Sequence, residues 1–266
     1  MSFFNFKESN LINFAKLDYV SKSHNCNKAV IAAYYNVKKY GFVATDDYVR
    51  IDQSRRSVGF ILNKDFDIGN LESTPALTGI SEYPIFKKKE KEVCYDLHHL
   101  FCNKSMMSTT SRGLNFRKRT GVEIVDYKKD ERLDYLYDGW KKTKEDDKKT
   151  FLMTFNPARY YRSYELLDHG FSIYQKLVLI NKKPYAVINF ALQNAYAYEL
   201  SFLSLFKDPE LRLINDQNDC IMVHCLFELF TKHGVGIVNL GTDAGIKGLK
   251  LFKHKLPHFE TIVYRS

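Results

Sequence analysis

The 266-residue chain has one Trp, 6 Pro and no Cys-x-x-Cys pair, and no apolar stretch approaches the roughly 20 residues that a membrane helix needs. Leu177–Ile180 and Tyr185–Phe190 fall far short of that length, so no transmembrane segment is expected. The opening Met-Ser-Phe-Phe-Asn-Phe-Lys-Glu lacks a basic region followed by an apolar one, so a secretory signal is not expected and a cytoplasmic location is. There is no short repeat and no low-complexity tract. Five cysteines, at 26, 94, 102, 220 and 225, form an odd, unpatterned set that reads as reduced and mostly buried thiols. Cys94, His98 and Cys102 would share one helix face, offering three collinear ligands where structural zinc gathers four from separated segments, so no metal is predicted.

What is present is apolar mass and positive charge. Hydrophobic residues make up 45% of the chain and aromatics 15%, with 18 Tyr and 20 Phe, too much for a disordered polymer. The length suits one double-sized unit or two small halves. Lys and Arg outnumber Asp and Glu by 40 to 31, a formal charge of +9, which favours polyanionic partners. The runs Lys87–Lys91 and Lys141–Lys149 read as solvated loops.

Periodicity supplies the organisation. Helices are predicted near residues 8–20 and over Ala29–Lys39, and strands at Phe42–Ala44, Tyr48–Asp52 and Ser57–Leu62. Frequent Gly, Ser, Thr and Pro make Phe66–Tyr83 a predicted loop region. A helix containing His98 and His99 follows, then Gly121 ending a helix before the strand Val122–Tyr127. Residues 131–145, with Leu133, Leu136, Tyr137 and Trp140 inward, and Pro157–Leu167 are further predicted helices. The last third is clearer. Ile173–Ile180 and Tyr185–Leu192 form a hairpin through Asn181-Lys182-Lys183-Pro184. Tyr196–Leu203 alternates, with Ala197, Glu199, Ser201 and Leu203 on one face. A helix with Ile221, Met222, Cys225, Leu226, Leu229 and Phe230 inward and His224, Glu228 and Lys232 outward stops at Gly234. A strand Val235–Leu240, a helix Ile246–Lys255 and a strand Thr261–Tyr264 complete the order β-β-β-α-β-α-β.

That order, with Tyr198-Glu199-Leu200-Ser201-Phe202-Leu203 and the following Pro209-Glu210-Leu211-Arg212, resembles the fourth strand and cofactor turn of the GNAT acyltransferases. The tail Asn239-Leu240-Gly241-Thr242-Asp243-Ala244-Gly245-Ile246-Lys247-Gly248-Leu249-Lys250-Leu251-Phe252-Lys253 is similar to two double-GNAT families. These are the C-terminal domain of lysylphosphatidylglycerol synthases and the Fem-type aminoacyltransferases, both of which take an amino acid from aminoacyl-tRNA. The resemblance implies an α/β (α+β) fold: a GNAT-like mixed sheet flanked by helices, in two tandem halves. The first, residues 1–110, is degenerate, and residues 111–266 are the acyltransferase half. It implies acyl or aminoacyl transfer to a soluble amine acceptor, with acyl-CoA or aminoacyl-tRNA as donor, and donor binding by Asp243, Gly245, Gly248 and Lys250.

One departure bears on the donor. A CoA-binding GNAT presents a glycine-rich loop whose backbone N–H groups hold a pyrophosphate at a helix start. The matching segment here, Arg212-Leu213-Ile214-Asn215-Asp216-Gln217-Asn218-Asp219, has no glycine and two carboxylates, which favours aminoacyl-tRNA or an acyl donor held in another way.

Glu199 lies where this superfamily places a general base, the alternative being an ordinary solvent-facing strand residue. A projection at about 100° per residue sets Lys253 with the stripe Leu249, Phe252 and Leu256, facing inward as an oxyanion-stabilising group, with an edge lysine reaching water as the alternative. Asp243 is expected to cap the following helix. Arg112, Arg117, Lys118 and Arg119 form the densest basic patch and are candidates to contact tRNA or DNA, with Phe116 among them expected in the core. A non-catalytic nucleic-acid-binding protein on a decayed GNAT scaffold is the rival reading, and a nucleic-acid base is a further candidate acceptor.

Overall fold

The computed structural model describes residues 15–17, 20–34, 41–45, 47–52, 57–66, 77–104, 107–128, 131–142, 162–243 and 245–266. The predicted helix at 8–20 lies outside them apart from a helical pair at 15 and 16, as does the far end of the one predicted over Ala29–Lys39.

Among the described residues eleven strands form one mixed sheet. They are β1 (Gly41–Ala44), β2 (Tyr48–Asp52), β3 (Ser57–Ile61), β4 (Leu77–Ser81), β5 (Lys88–Asp96), β6 (Val122–Asp126), β7 (Ile173–Ile180), β8 (Lys183–Gln193), β9 (Tyr196–Ser204), β10 (Ile237–Asn239) and β11 (Phe259–Arg265). Their order is β1-β2-β3-β4-β11-β5-β10-β9-β8-β7-β6. All neighbours are antiparallel except the pairs β3/β4 and β9/β10. The arrangement reads alike from both ends. A parallel pair leads on each side to one of two long central strands, and these pair with each other from Lys88–Arg265 to Cys94–Phe259.

The helices are α1 (Lys28–Tyr34), α2 (Leu97–Cys102), α3 (Met107–Phe116), α4 (Arg132–Lys142), α5 (Gln217–His233) and α6 (Lys247–Lys253). One core joins α2, α3, α4 and α5 to strands β5 to β10, and a second joins α1 to β2, β3, Ile80, Tyr198 and Val263. Strand alternation separates them: on β7, Tyr174 and Lys176 reach Glu228 of α5, while neighbouring Ile173 packs with the α1 cluster. Among the described residues no helix is long and apolar enough to cross a membrane.

Several predicted elements need correction. Leu77–Ser81, read as loop, is a strand buried beside β3, and its Gly79 makes room for the Phe86 ring, which an added Cβ would meet at 2.1 Å. Lys87–Lys91, read as solvated loop, opens the central strand β5, whose lysines point outward from a backbone paired to β11. Cys94 therefore lies on a strand, and α2 begins only at Leu97 behind an Asp96 cap, so the imagined three-residue helix face does not exist. No group of three or more metal-ligating side chains comes together among the described residues. Of the predicted helix Pro157–Leu167, residues 157–161 lie outside the described residues and the rest belongs to a 3-10 helix at Arg162–His169. The hairpin after β7 turns on Asn181 and Lys182 alone, both with positive φ, leaving Pro184 inside β8.

Candidate functional site

The geometry begins with a defect in β9. Asn189 of β8 pairs with Ser201 but the next residue, Phe190, pairs with Glu199, so Leu200 is an inserted bulge residue. This overturns the unbroken alternation expected for Tyr196–Leu203. Glu199 and Ser201 oppose consecutive β8 residues and so belong to opposite faces.

At the same point β9 parts from its parallel neighbour. The β9/β10 ladder ends at Tyr198–Asn239, after which Leu240 donates to the Val93 carbonyl and Gly241 accepts from the Val93 amide, following β5 instead. Glu199 is therefore the first residue in a cleft between diverging strands. Glu199 is 8% exposed and Lys253 5%, and Oε2 of Glu199 lies 3.4 Å from the Lys253 ammonium. That oxygen accepts no hydrogen bond among the described residues, which is unusual for a buried carboxylate.

Lys253 is on the inward face of α6, as its projection predicts, and Lys247 and Lys255 are outward. The Lys253 Nζ donates to the carbonyls of Leu240 and, at 3.1 Å, Thr242, so two of its three N–H groups are held by carbonyls while the ammonium forms an ion pair with Glu199. Tyr95 of β5 donates to the Lys253 carbonyl at 2.7 Å and fixes the end of α6. Burial, then the charges of Glu199 and Asp219, push the Tyr95 phenol pKa up, keeping it a donor.

Behind the cleft is a group that pattern reading did not single out. Glu92 of β5 is fully buried, and its carboxylate accepts from Ser23 Oγ (2.9 Å), the His24 amide (2.9 Å), the Asn25 amide (3.1 Å), Asn25 Nδ2 (2.7 Å) and Asn239 Nδ2 (2.9 Å). The alternation Lys-Glu-Lys-Glu around it resembles a solvated run, and the one sequence signal was that this run abuts the apolar Val93.

The other predicted residues fall as follows. Asp243 is half-buried and does not cap α6, whose N-cap is Ile246; its Oδ1 accepts from the Gly245 amide at 2.9 Å in a tight turn before the helix. Gly245 has φ +70° and Gly248 has open space at its Cα, so neither glycine serves internal packing. Lys250 is exposed on the same helix. Arg112 on α3 and Arg117, Lys118 and Arg119 in the turn after it are all exposed, and Phe116 is in the core. Arg112 reaches Asp216 (3.5 Å), and Asp216 with Asp219 holds Lys255, so the middle of α3 and the residues just after α6 meet at the start of α5.

That start is where a pyrophosphate of CoA would sit in this fold, and the residues do not fit one. The Leu213 and Ile214 amides already point at Gln217 Oε1 (2.8 and 3.4 Å), whose Nε2 in turn donates to the Leu211 carbonyl (3.0 Å). Asp216 and Asp219 add negative charge beside them.

No protein-family model and no curated protein sequence matches the chain. Solved structures do match in shape. The C-terminal domain of a protein described as a lysylphosphatidylglycerol synthetase in Agrobacterium fabrum superposes with TM-score 0.60 at 12% identity, over 97% of this chain and 91% of that one. FemX superposes at 0.58 and 11% identity, over 99% and 97%. A GCN5-related N-acetyltransferase from Kribbella flavida gives 0.50 and 11%, over 92% and 95%. The chain has the GNAT fold. At these identities the likeness establishes architecture alone, and the chemistry must be argued from the cleft.

Proposed function

We propose that the chain is a GNAT-fold transferase that forms an amide on a soluble amine, with aminoacyl-tRNA as donor, and that Glu199 and Lys253 carry the chemistry. The observation behind this reading is the buried carboxylate–ammonium pair where β9 and β10 diverge, with one carboxylate oxygen lacking a hydrogen bond among the described residues. Glu199 accepts a proton from the acceptor ammonium, and the freed amine attacks the ester carbonyl of the donor. Protonation discharges the Glu199–Lys253 pair, and the Lys253 N–H that no carbonyl holds can turn to the tetrahedral oxyanion as it develops. On collapse, the second proton of the attacking nitrogen passes to the departing ribose oxygen, and Glu199 gives its proton to solvent. We set the donor as aminoacyl-tRNA because the Gln217-filled loop disfavours CoA and because Arg112, at the start of α5, leads along α3 to the exposed Arg117, Lys118 and Arg119.

The tandem-half organisation enters here as well. Exchanging the central strands through their common register, 94–259 onto 264–89, carries the pair Asn239–Tyr198 onto Ser81–Ile61. Glu199 then falls on Leu62, so in this alignment a first half over residues 1–110 carries no carboxylate at the equivalent position, and the proposed catalytic pair comes from residues 111–266. A nucleic-acid base remains a candidate acceptor only through the surface charge.

The rival reading, a non-catalytic nucleic-acid binder, draws support from the two carbonyls held by Lys253, which make it a sufficient clamp for the 240–242 loop without any chemistry. Turnover separates the two. With aminoacyl-tRNA and a primary alkylamine, which is protonated at neutral pH, the protein is expected to form amide faster than the uncatalysed background, with Glu199→Gln and Lys253→Ala losing 100-fold or more. Equal rates for wild type and Glu199→Gln, or a rate seen only with acetyl-CoA, rejects the reading.

A further inference from the structure

The cleft is held from two faces, and the second hold comes from far away in sequence. His24 sits in the segment Ser21–Asn25, 4% exposed, and its Nε2 lies 2.6 Å from the Glu199 carbonyl oxygen. A carbonyl only accepts, so the ring proton is on Nε2. The other side of the imidazole lies flat on Gly241, where an added Cβ would be 2.8 Å from Nδ1. His24 thus occupies the gap in which β9 and β10 would otherwise have continued their ladder: it takes the Glu199 carbonyl on one side and blocks Gly241 from approaching on the other.

Its own placement is over-determined. The Glu92 carboxylate binds the His24 amide and the residues on each side, Tyr198 Oη donates to the Ser21 carbonyl, and Asn239 Nδ2 donates to the Lys22 carbonyl at 3.0 Å. Asn239 also accepts from the Gly241 amide at 2.8 Å. The residues that pin the strap are therefore the last paired residues of the two diverging strands, Tyr198 and Asn239, together with the strand that β10 follows afterwards.

We infer that His24 is a positioning residue for Glu199, wedging β9 and β10 apart and fixing the peptide that carries the carboxylate, and that buried Glu92 sets the wedge. The role assigned to His24 rests on the proposed function, but its geometric part does not, and the experiment has an arm for each. In the first arm, amide hydrogen exchange is followed by mass spectrometry on the full chain. His24→Ala is expected to speed exchange about 10-fold or more in peptides covering 197–203 and 238–243 while β7 and β8 stay as in wild type; His24→Gln, whose carboxamide nitrogen reaches the same carbonyl, restores protection. Unchanged exchange in those peptides, or an increase spread evenly over the sheet, overturns the wedge.

In the second arm, amide formation from aminoacyl-tRNA and a primary alkylamine is measured. His24→Ala is expected to lower kcat about 10- to 100-fold at unchanged donor KM, His24→Gln to recover most of it, and the loss to vanish in the Glu199→Gln background, since a residue acting through Glu199 has nothing left to position. Multiplicative losses, or a Gln variant no better than Ala, overturn the positioning role. If wild type turns nothing over, the proposed function fails while the exchange arm still decides the wedge.

Discussion

Replacing Lys253 by Met removes the ammonium while keeping a chain of similar length in the α6 interior. Three interactions go with it: the pair with Glu199 and the bonds to the Leu240 and Thr242 carbonyls. Stranding one member of a buried ion pair costs about 3–5 kcal/mol, because the remaining charge keeps its desolvation penalty without its partner. The half-exposed position of Thr242 lets water replace one carbonyl bond, so a total of about 4 kcal/mol is reasonable. At about 2–4 °C per kcal/mol for a chain of this size, the melting point should fall by about 8–16 °C. Glu199→Gln, which leaves both carbonyl bonds intact, should cost only about 1–2 kcal/mol. In the double variant Lys253→Met, Glu199→Gln no charge is stranded, and the combined loss should be smaller than the Lys253→Met loss alone. Thermal and urea unfolding followed by the fluorescence of the single Trp, buried Trp140, measures all three. A single-variant loss under about 1 kcal/mol, or simple additivity in the double variant, would show that the ammonium is hydrated and refute the buried clamp.

Glu228 of α5 gives a pH signature. Burial opposes its ionisation, but hydrogen bonds from Lys232, Tyr174 and Lys176 outweigh this and lower its pKa to about 2. A carboxyl lowered from its ordinary value of 4.5 contributes stability that is complete above that value and disappears as pH falls towards 2; urea titrations in that window should show the decline in wild type and a flatter profile in Glu228→Gln. Burial likewise pushes the Cys94 and Cys225 thiols up to about 12, whereas Cys102 is exposed, so a disulfide reagent at about pH 8 should modify Cys102 in a fast phase and these two only on unfolding; fast labelling of Cys94 or Cys225 contradicts the packing. Charge reversal at Arg117 and Arg119 should weaken tRNA binding and flatten its dependence on log salt by about one unit for each phosphate no longer neutralised, and an unchanged slope in anisotropy titrations excludes that surface.

The C-terminal architecture was legible because its patterns are local. The hairpin at Asn181–Lys182, the apolar stripe of α5 and the stop at Gly234 each follow from short-range chemistry, and the inward Lys253 followed from helical spacing combined with a recognisable tail. What escaped was non-local. Lys88–Asp96 alternates lysine and glutamate where the chain enters the sheet, and only pairing with β10 and β11 makes it a strand. Glu228 reads as a solvent residue on its helix, yet Tyr174 and Lys176 come from another strand to bury it. The bulge at Leu200 has no composition of its own, and it reversed the faces assigned to half of β9.

The same non-locality explains why the cleft needs nearly the whole chain. Its floor is β9 and β10, its cation comes from α6, its wedge from residue 24, and the carboxylate that sets the wedge from β5. β5 lies between β10 and β11, so the strand that carries Glu92 also completes the sheet beside the cleft. A fragment beginning at residue 111 would lose that strand, the wedge and the Val93 partner of Leu240 and Gly241 together. Its exposed β10 edge would have no reason to part from β9 at Glu199, because the divergence is enforced by what β10 pairs with next and by the imidazole filling the gap.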